Sequence, residues 1–220
     1  MMMAVSDPTL EIEEGLHAKG HRYVIGCDEV GRGAIAGPVA VGLAVVDLAC
    51  GPFPPGLRDS KLLSQKRREE LAPLTAAWAR HSSVGLASAL EVDTLGLTAA
   101  LGLAGKRALT RLHNGGAKIR ESIILLDGAF DWLNPALSSR LPLRLQVKAD
   151  RDCASVAAAS VVAKVFRDRI MIDADATTPG YDWAGNKGYG SAGHFAAIAA
   201  LGATAMHRHT WLKKSPEMGE

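Results

Sequence analysis

Two rhythms of apolar and polar positions alternate along the chain, and together they predict an α/β protein. Aliphatic, β-branched runs at residues 22–28 (RYVIGCD) and 38–47 (PVAVGLAVVD), joined by a glycine-rich turn, predict a hairpin-like pair of strands. Residues 64–80 open on Ser64, a side chain suited to N-capping, and read as a helix in spite of Pro73. A third strand is expected at 83–90, followed by a single long helix over 91–112 that carries several glycines. Strands at 122–127 (SIILLD) and 143–148 (LRLQVK) precede a helix at 153–171 (CASVAAASVVAKVFRDRIM). The Gly- and Pro-punctuated remainder holds one more helical stretch, at 192–202. The expected architecture is one α/β domain with helices on a mixed sheet, closed by a small helical carboxy-terminal part.

Composition changes this picture little. At 220 residues the chain has the length of one domain, and 48% hydrophobic with 22% charged residues is the balance of a soluble globular protein. A net charge of +2 predicts no nucleic-acid binding by itself, so any such footprint must be local. With 5% aromatic residues, base stacking on broad aromatic platforms is excluded as the main binding mode. Cys27, Cys50 and Cys153 are odd in number and scattered, which argues against a disulfide framework and a structural zinc site. The amino terminus lacks the pattern of a signal peptide, and no apolar run approaches the ~18 residues of a membrane span. A cytoplasmic, unanchored protein is expected.

Chemistry enters through the acids. Three apolar runs end in aspartate: VIGC-Asp28-Glu29, IILL-Asp127 and LQVK-Ala-Asp150. Neighbouring strand ends lie ~5 Å apart, or about 10 Å with one strand between, so these carboxylates can converge. Carboxylates gathered at a partly buried point repel one another and lose hydration, and a cation offsets that cost. Hard oxygen ligands select Mg²⁺ or Mn²⁺, and two such ions can activate water and stabilise a leaving oxygen in phosphodiester hydrolysis. The competing reading makes each aspartate the N-cap of a following helix. Asp127 is followed by Gly128, Asp150 stands three residues ahead of the helical pattern, and Asp28-Glu29 precede a glycine turn. None of the three suits that role.

Gly31, Gly33 and Ala36 formally satisfy the dinucleotide fingerprint G-x-G-x-x-G/A. That motif must open a helix so that pyrophosphate meets the helix N-terminus, whereas here Gly37-Pro38 leads into the run VAVGLAVVD. No GxxxxGK[ST] motif is present either. A nucleotide-cofactor protein is therefore disfavoured. A loop with little side-chain bulk, through which main chain approaches a nucleic-acid groove and Arg32 adds a phosphate or sugar contact, fits better.

These residues resemble a known family. Tyr23–Val39 (YVIGCDEVGRGAIAGPV) is similar to the signature segment of the type 2 ribonucleases H, the bacterial ribonuclease HII group. The likeness recurs in order at Asp59-Ser60-Lys61, Leu125–Gly128, Lys148-Ala149-Asp150, Ala157–Val165 with Arg167-Asp168, and Asn186–Gly190, covering roughly residues 20–210. The resemblance implies a ribonuclease H-like fold, with an extension at 1–20, a catalytic domain at 21–175 and a helical segment at 176–220 completing the substrate cleft. It implies endonucleolytic hydrolysis on the 5′ side of ribonucleotides embedded in duplex DNA, and of RNA in RNA–DNA hybrids, leaving 3′-hydroxyl and 5′-phosphate ends.

It also implies residue roles. Asp28, Glu29, Asp127 and Asp150 match the catalytic acids that hold two divalent ions, Mg²⁺ or Mn²⁺. Gly31, Arg32 and Gly33 match the loop that contacts the ribonucleotide 2′-hydroxyl, the group that separates RNA from DNA. Tyr189 matches a tyrosine that stacks on the next sugar; read alone, a lone tyrosine in a Gly-rich loop is packing. Lys61 and Lys164 correspond to lysines near the substrate backbone, with Ser160 and Arg167 assigned there too, although a polar side of an apolar helix explains those two equally. Asp168 is expected as a surface salt-bridge partner, and the histidines, among them those of His207-Arg208-His209, carry no assignment. Ala34-Ile35 replaces the usual Pro-Leu, and His194 ends a run that is more basic in the family. With 27 residues before Asp28 and Gly-Arg-Gly present, type 2 is expected rather than type 3. A monomer acting without a membrane is expected, the alternative being a hybrid-binding module without turnover.

Overall fold

The computed structural model describes residues 7–212; the expected segments at 1–20 and 176–220 therefore extend beyond the described residues at both ends. Five strands form one mixed sheet in the order β3-β2-β1-β4-β5, with β1 Tyr23–Val30, β2 Val39–Val46, β3 His81–Ala87, β4 Ser122–Asp127 and β5 Leu143–Gln146. β2 runs antiparallel to β1 and β3, while β4 is parallel to β1 and to β5. The helices are α1 Glu11–Ala18, α2 Gln65–Trp78, α3 Ala89–Leu95, α4 Leu97–Asn114, α5 Ala149–Asp152, α6 Ala154–Thr177, α7 Trp183–Asn186, α8 Ala192–Leu201 and α9 His209–Leu212. None of them is long and apolar enough to cross a membrane.

Period two divides the sheet between two layers. Ile25, Cys27, Val41, Leu43, Ile124 and Leu126 pack with Ala104, Ala108 and Leu112 of α4 on one face. Val24, Leu125 and Val156, then Ala44 with Ala157 and Ala158, build the core on the α6 side. That helix lies very close to the sheet. A Cβ on Gly26 would overlap the Ser155 main chain, and one on Gly42 the Ala159 carbonyl, so glycine in β1 and β2 faces the alanine-rich face of α6. The strand carrying Asp28 is thereby clamped to the helix carrying Ser160 and Lys164.

Several boundaries differ from expectation. The helix expected over 91–112 is two helices, broken at Gly96, whose φ of +79° is readily reached only by glycine. The strand expected at 83–90 ends at Ala87, because Ser88 caps α3 in a reciprocal capping box with Glu91. α6 continues past 171 to Thr177, crossing the expected boundary at 175. Ser64 does cap α2, accepting from the Arg67 amide at 3.2 Å. The carboxy-terminal helices enclose a separate small core of Ala36, Met171, Tyr181, Trp183, Ile198 and Leu212. Burying each large apolar side chain there contributes roughly 1.5–3 kcal/mol, enough to hold this part against the Gly31–Pro38 loop.

Candidate active site

The acids do not all sit past strand ends. Asp28 and Glu29 lie inside β1, which runs through Val30, and Asp127 is the last residue of β4. Cys27 pairs with Leu126 in the parallel register, so Asp28 and Asp127 occupy the next step on adjacent strands, both on the α6 face. Asp150 corrects the sequence reading. β5 stops at Gln146, the chain turns through Lys148 at a left-handed φ of 61°, and Asp150 is buried on the single turn α5. The Ala149 amide at the start of that turn donates to Asp127 Oδ1 at 2.7 Å and ties the two acid-bearing segments together.

Burial and crowding govern the electrostatics. Asp28, 4% exposed, has its carboxyl pushed well above the ordinary range by burial, then by the charges of Glu29, Asp127 and Asp150; the Ser160 hydroxyl opposes the shift. Burial also raises Glu29, with Arg32 working against it, and raises Asp127, to which Asp150 adds. Two cations answer this surplus of negative charge. Lys61 Nζ lies 2.9 Å from Asp150 Oδ2, and Arg32 Nη1 lies 3.2 Å from Glu29 Oε1. Burial opposes the charge on Lys61, but the Asp150 carboxylate prevails and raises its pKa. Glu29 Oε2 stays buried with no hydrogen-bond partner. Among the described residues no three acid, imidazole or thiol groups already close into a ligand set. The donor chemistry nonetheless fits a hard divalent cation: four carboxylates, mutually repelling, with one orphaned oxygen.

The loop after β1 stands beside the acids, with Gly31 buried and Arg32 and Gly33 exposed. Ala34 bridges Tyr189, and the Ile35 and Ala36 amides both donate to the Gly188 carbonyl, joining the loop to the 186–191 segment. Tyr189 is 37% exposed, with Lys164 Nζ 5.7 Å and the Arg167 guanidinium 5.5 Å from its ring centroid. Lys164 also bonds Asp168 at 2.7 Å, and burial lowers its pKa. Ser160 is buried, its hydroxyl 2.9 Å from that of Ser60.

Two expectations are overturned. Asp168 is not at the surface: it is 4% exposed and enclosed by Lys164 and by Arg68 of α2, because this side of α6 faces α2. Arg167, assigned to the substrate backbone, is fully buried and donates to the carbonyls of Pro38, Lys187 and Ala36 at 2.8, 2.9 and 3.1 Å. Arg208, left without a role by the sequence, is its counterpart. It donates to Gly31 O at 2.7 Å, Arg32 O at 3.1 Å and Gly37 O at 3.1 Å. Among the described residues neither guanidinium has a carboxylate within 4.0 Å. The glycine loop therefore rests on two buried arginines that satisfy its main chain. Nothing local in the sequence separates these two from surface arginines: Arg208 lies between two histidines and Arg167 beside Asp168 and Arg169.

Known proteins share this sequence and fold. The family model described as Ribonuclease HII matches residues 25–214. A Ribonuclease HII from Streptomyces griseus subsp. griseus is 44% identical over 213 residues, covering 95% of this chain and 86% of that protein. The ribonuclease H2 of Pyrococcus horikoshii OT3 superposes with a TM-score of 0.66 at 24% identity, covering 87% of this chain and 96% of that one. Bst-RNase HIII, solved in complex with Mn²⁺, gives 0.64 at 23% identity over 87% of this chain and 68% of its own. At such identities the two structures establish a shared ribonuclease H-like fold, while the sequence match extends over nearly the whole chain. A mixed five-stranded sheet with its acids on β1, β4 and α5, matched by the family model across both flanking loops, places the chain in the ribonuclease HII family, as a ribonuclease H endonuclease.

Proposed function

We propose that this endonuclease hydrolyses the phosphodiester 5′ of ribonucleotides embedded in duplex DNA, and RNA in RNA–DNA hybrids, leaving 3′-hydroxyl and 5′-phosphate ends. The observation that carries the reading is the junction of Ala34 with Tyr189, which sets the glycine loop and an exposed aromatic ring together beside four crowded acids. Asp28, Glu29, Asp127 and Asp150 would hold two divalent ions, Mg²⁺ or Mn²⁺. When bound, such ions supply an activated water and stabilise the departing oxygen.

The chain's own groups then position substrate. Main chain at Gly31 and Gly33, with Arg32, contacts the 2′-hydroxyl, the group absent from DNA. Tyr189 presents its ring to the sugar of the following nucleotide, backed by the positive charges of Lys164 and Arg167. Lys61, 72% exposed at its side chain, leaves Asp150 for a substrate phosphate. Lys164 contributes to the same positive rim. Ser160, buried between Ser60 and Asp28, acts by supporting the Asp28 carboxylate rather than by reaching the phosphate backbone itself.

Three end-labelled substrates test the reading: a duplex with one ribonucleotide, a long RNA–DNA hybrid and an all-DNA duplex. Cleavage 5′ of the single ribonucleotide and within the hybrid, with the all-DNA duplex intact, is expected. Binding of the duplexes without any cut would favour a hybrid-binding module instead.

A further inference from the structure

Two buried imidazoles, His194 and His207, lie behind the exposed Tyr189. Their hydrogen bonds admit one pair of tautomers. The Trp183 indole can only donate, and its Nε1 points at His194 Nε2 at 3.1 Å, so that nitrogen is an acceptor. His194 Nδ1 then carries the proton and donates to the Tyr189 carbonyl at 2.9 Å. On the other side, the Thr204 amide donates to His207 Nδ1 at 2.9 Å, which leaves the His207 proton on Nε2. That Nε2 lies 3.2 Å from His194 Nε2, whose single lone pair its N–H shares with the Trp183 indole. A single directed chain thus runs from Thr204 through His207 and His194 to the main chain of Tyr189.

The ends of this chain differ in kind. Thr204, Trp183 and His207 sit among the packed carboxy-terminal elements, with Tyr181 stacked on Trp183 at a centroid distance of 4.9 Å. Tyr189 by contrast has an exposed ring, so its place depends on main-chain contacts: its amide on Asn186 O, its bridge to Ala34 and its carbonyl on His194. We infer that His194 is a positioning residue for Tyr189, and that Trp183 and His207 lock the His194 tautomer whose Nδ1–H holds the Tyr189 carbonyl. This rests on the reading of Tyr189 as the substrate-facing ring. Burial lowers the pKa of both imidazoles, His207 to about 4, so the neutral forms that the chain requires are the ones present at neutral pH.

The test separates the two ring nitrogens. In His194→Asn the side-chain amide stands where Nδ1 was and keeps the bond to Tyr189; in His194→Gln it reaches the Nε2 position and restores the other arm instead. Initial rates on a duplex with one ribonucleotide, at saturating Mg²⁺, give KM and kcat, and thermal melting confirms that each variant is folded. H194N should stay within about 3-fold of the parent KM, whereas H194Q should raise KM ~10-fold, the worth of one hydrogen bond, with kcat changed much less. In a Tyr189→Ala background H194Q should add less than about 2-fold, since coupled residues are not additive. An H194Q that matches the parent while H194N fails, or an H194Q factor that persists in full beside Y189A, overturns the inference. If Y189A alone leaves KM unchanged, the substrate role of Tyr189 falls, and this inference with it.

Discussion

Arg208 donates from Nη2 to the carbonyl of Gly31 at 2.7 Å across 177 residues of sequence, so the residue just before α9 braces the loop between β1 and β2. The same guanidinium holds Gly37 O and Arg32 O, and no carboxylate among the described residues neutralises it. Replacing it removes the donor from the buried Gly37 carbonyl and one donor each from Arg32 O and Gly31 O, the last of which keeps the Ala34 amide. Arg208→Ala should cost on the order of 2–4 kcal/mol in chemical denaturation, with Arg208→Lys recovering only part, because one ammonium cannot span three carbonyls. A loss under 0.5 kcal/mol, a size typical of surface changes, would mean that the loop does not depend on this arginine.

Lys61 and Asp150 form an ion pair at 2.9 Å, so the lysine competes with any cation that Asp150 Oδ2 would hold. Lys61→Met should therefore tighten Mn²⁺ binding by several-fold in calorimetry without nucleic acid. It should at the same time raise KM for a ribonucleotide duplex, since a phosphate contact is lost. Weaker ion binding in K61M would contradict the competition between lysine and metal.

Crowding of buried carboxylates leaves the ion-free protein less stable than its packing allows. Asp28→Asn replaces this buried carboxyl, whose ionisation burial and its neighbours oppose, with a neutral amide of nearly the same shape. In chelator this variant should melt higher than the parent by about 2–6 °C, corresponding to roughly 1–2 kcal/mol. Added Mg²⁺ should raise the parent's melting temperature and leave that of D28N nearly unchanged. Equal melting temperatures in chelator would show that the four acids do not strain the fold.

The paired imidazoles give stability a definite pH dependence. His207 has a folded pKa of about 4, below its ordinary 6.5, because burial disfavours the cation and the neighbouring His194 and His209 add to the effect. His194 is lowered as well, chiefly by burial, although its hydrogen bond to the Tyr189 carbonyl and then the charge of Asp182 oppose the shift. Between these values the unfolded chain binds a proton that the folded one refuses. Stability from this group is thus complete above pH ~6.5 and declines as pH falls toward ~4, at no more than ~1.4 kcal/mol per pH unit. Denaturation curves at pH 7, 6, 5 and 4 should show a shallower decline in His207→Gln than in the parent. Parallel declines would place the imidazole outside the folding equilibrium.

Much of this was readable in local pattern. The β1–β2 hairpin, the five strands and α6 follow from periodicity, and Ser88-x-x-Glu91 was a legible capping signal that the expectation of strand through 90 passed over. The glycines within 91–112 signal a weakened helix, but not that Gly96 in particular breaks it, since α3 and α4 continue the same helical composition on both sides. LQVK reads as strand and so puts Asp150 at a strand end; its buried turn depends on Lys148 adopting a left-handed conformation, which a lysine does not announce. Arg167, Asp168 and Arg208 share a different cause. Their partners lie on other elements, Pro38 being 129 residues from Arg167, so nothing local distinguishes a buried arginine from one at the surface. The acids and the glycine loop were legible by type and order, and the groups that hold them only in three dimensions.

The most direct measurement is cleavage of an end-labelled DNA duplex containing one ribonucleotide, with Mg²⁺, Mn²⁺ or chelator, by the parent and by Asp127→Asn. A single cut 5′ of the ribonucleotide is expected with either ion and none with chelator. Asp127→Asn should lower the rate at least ~100-fold while still binding the duplex. A cut that persists in chelator, or an Asp127→Asn variant as active as the parent, would contradict the central claim that these four acids act through divalent ions.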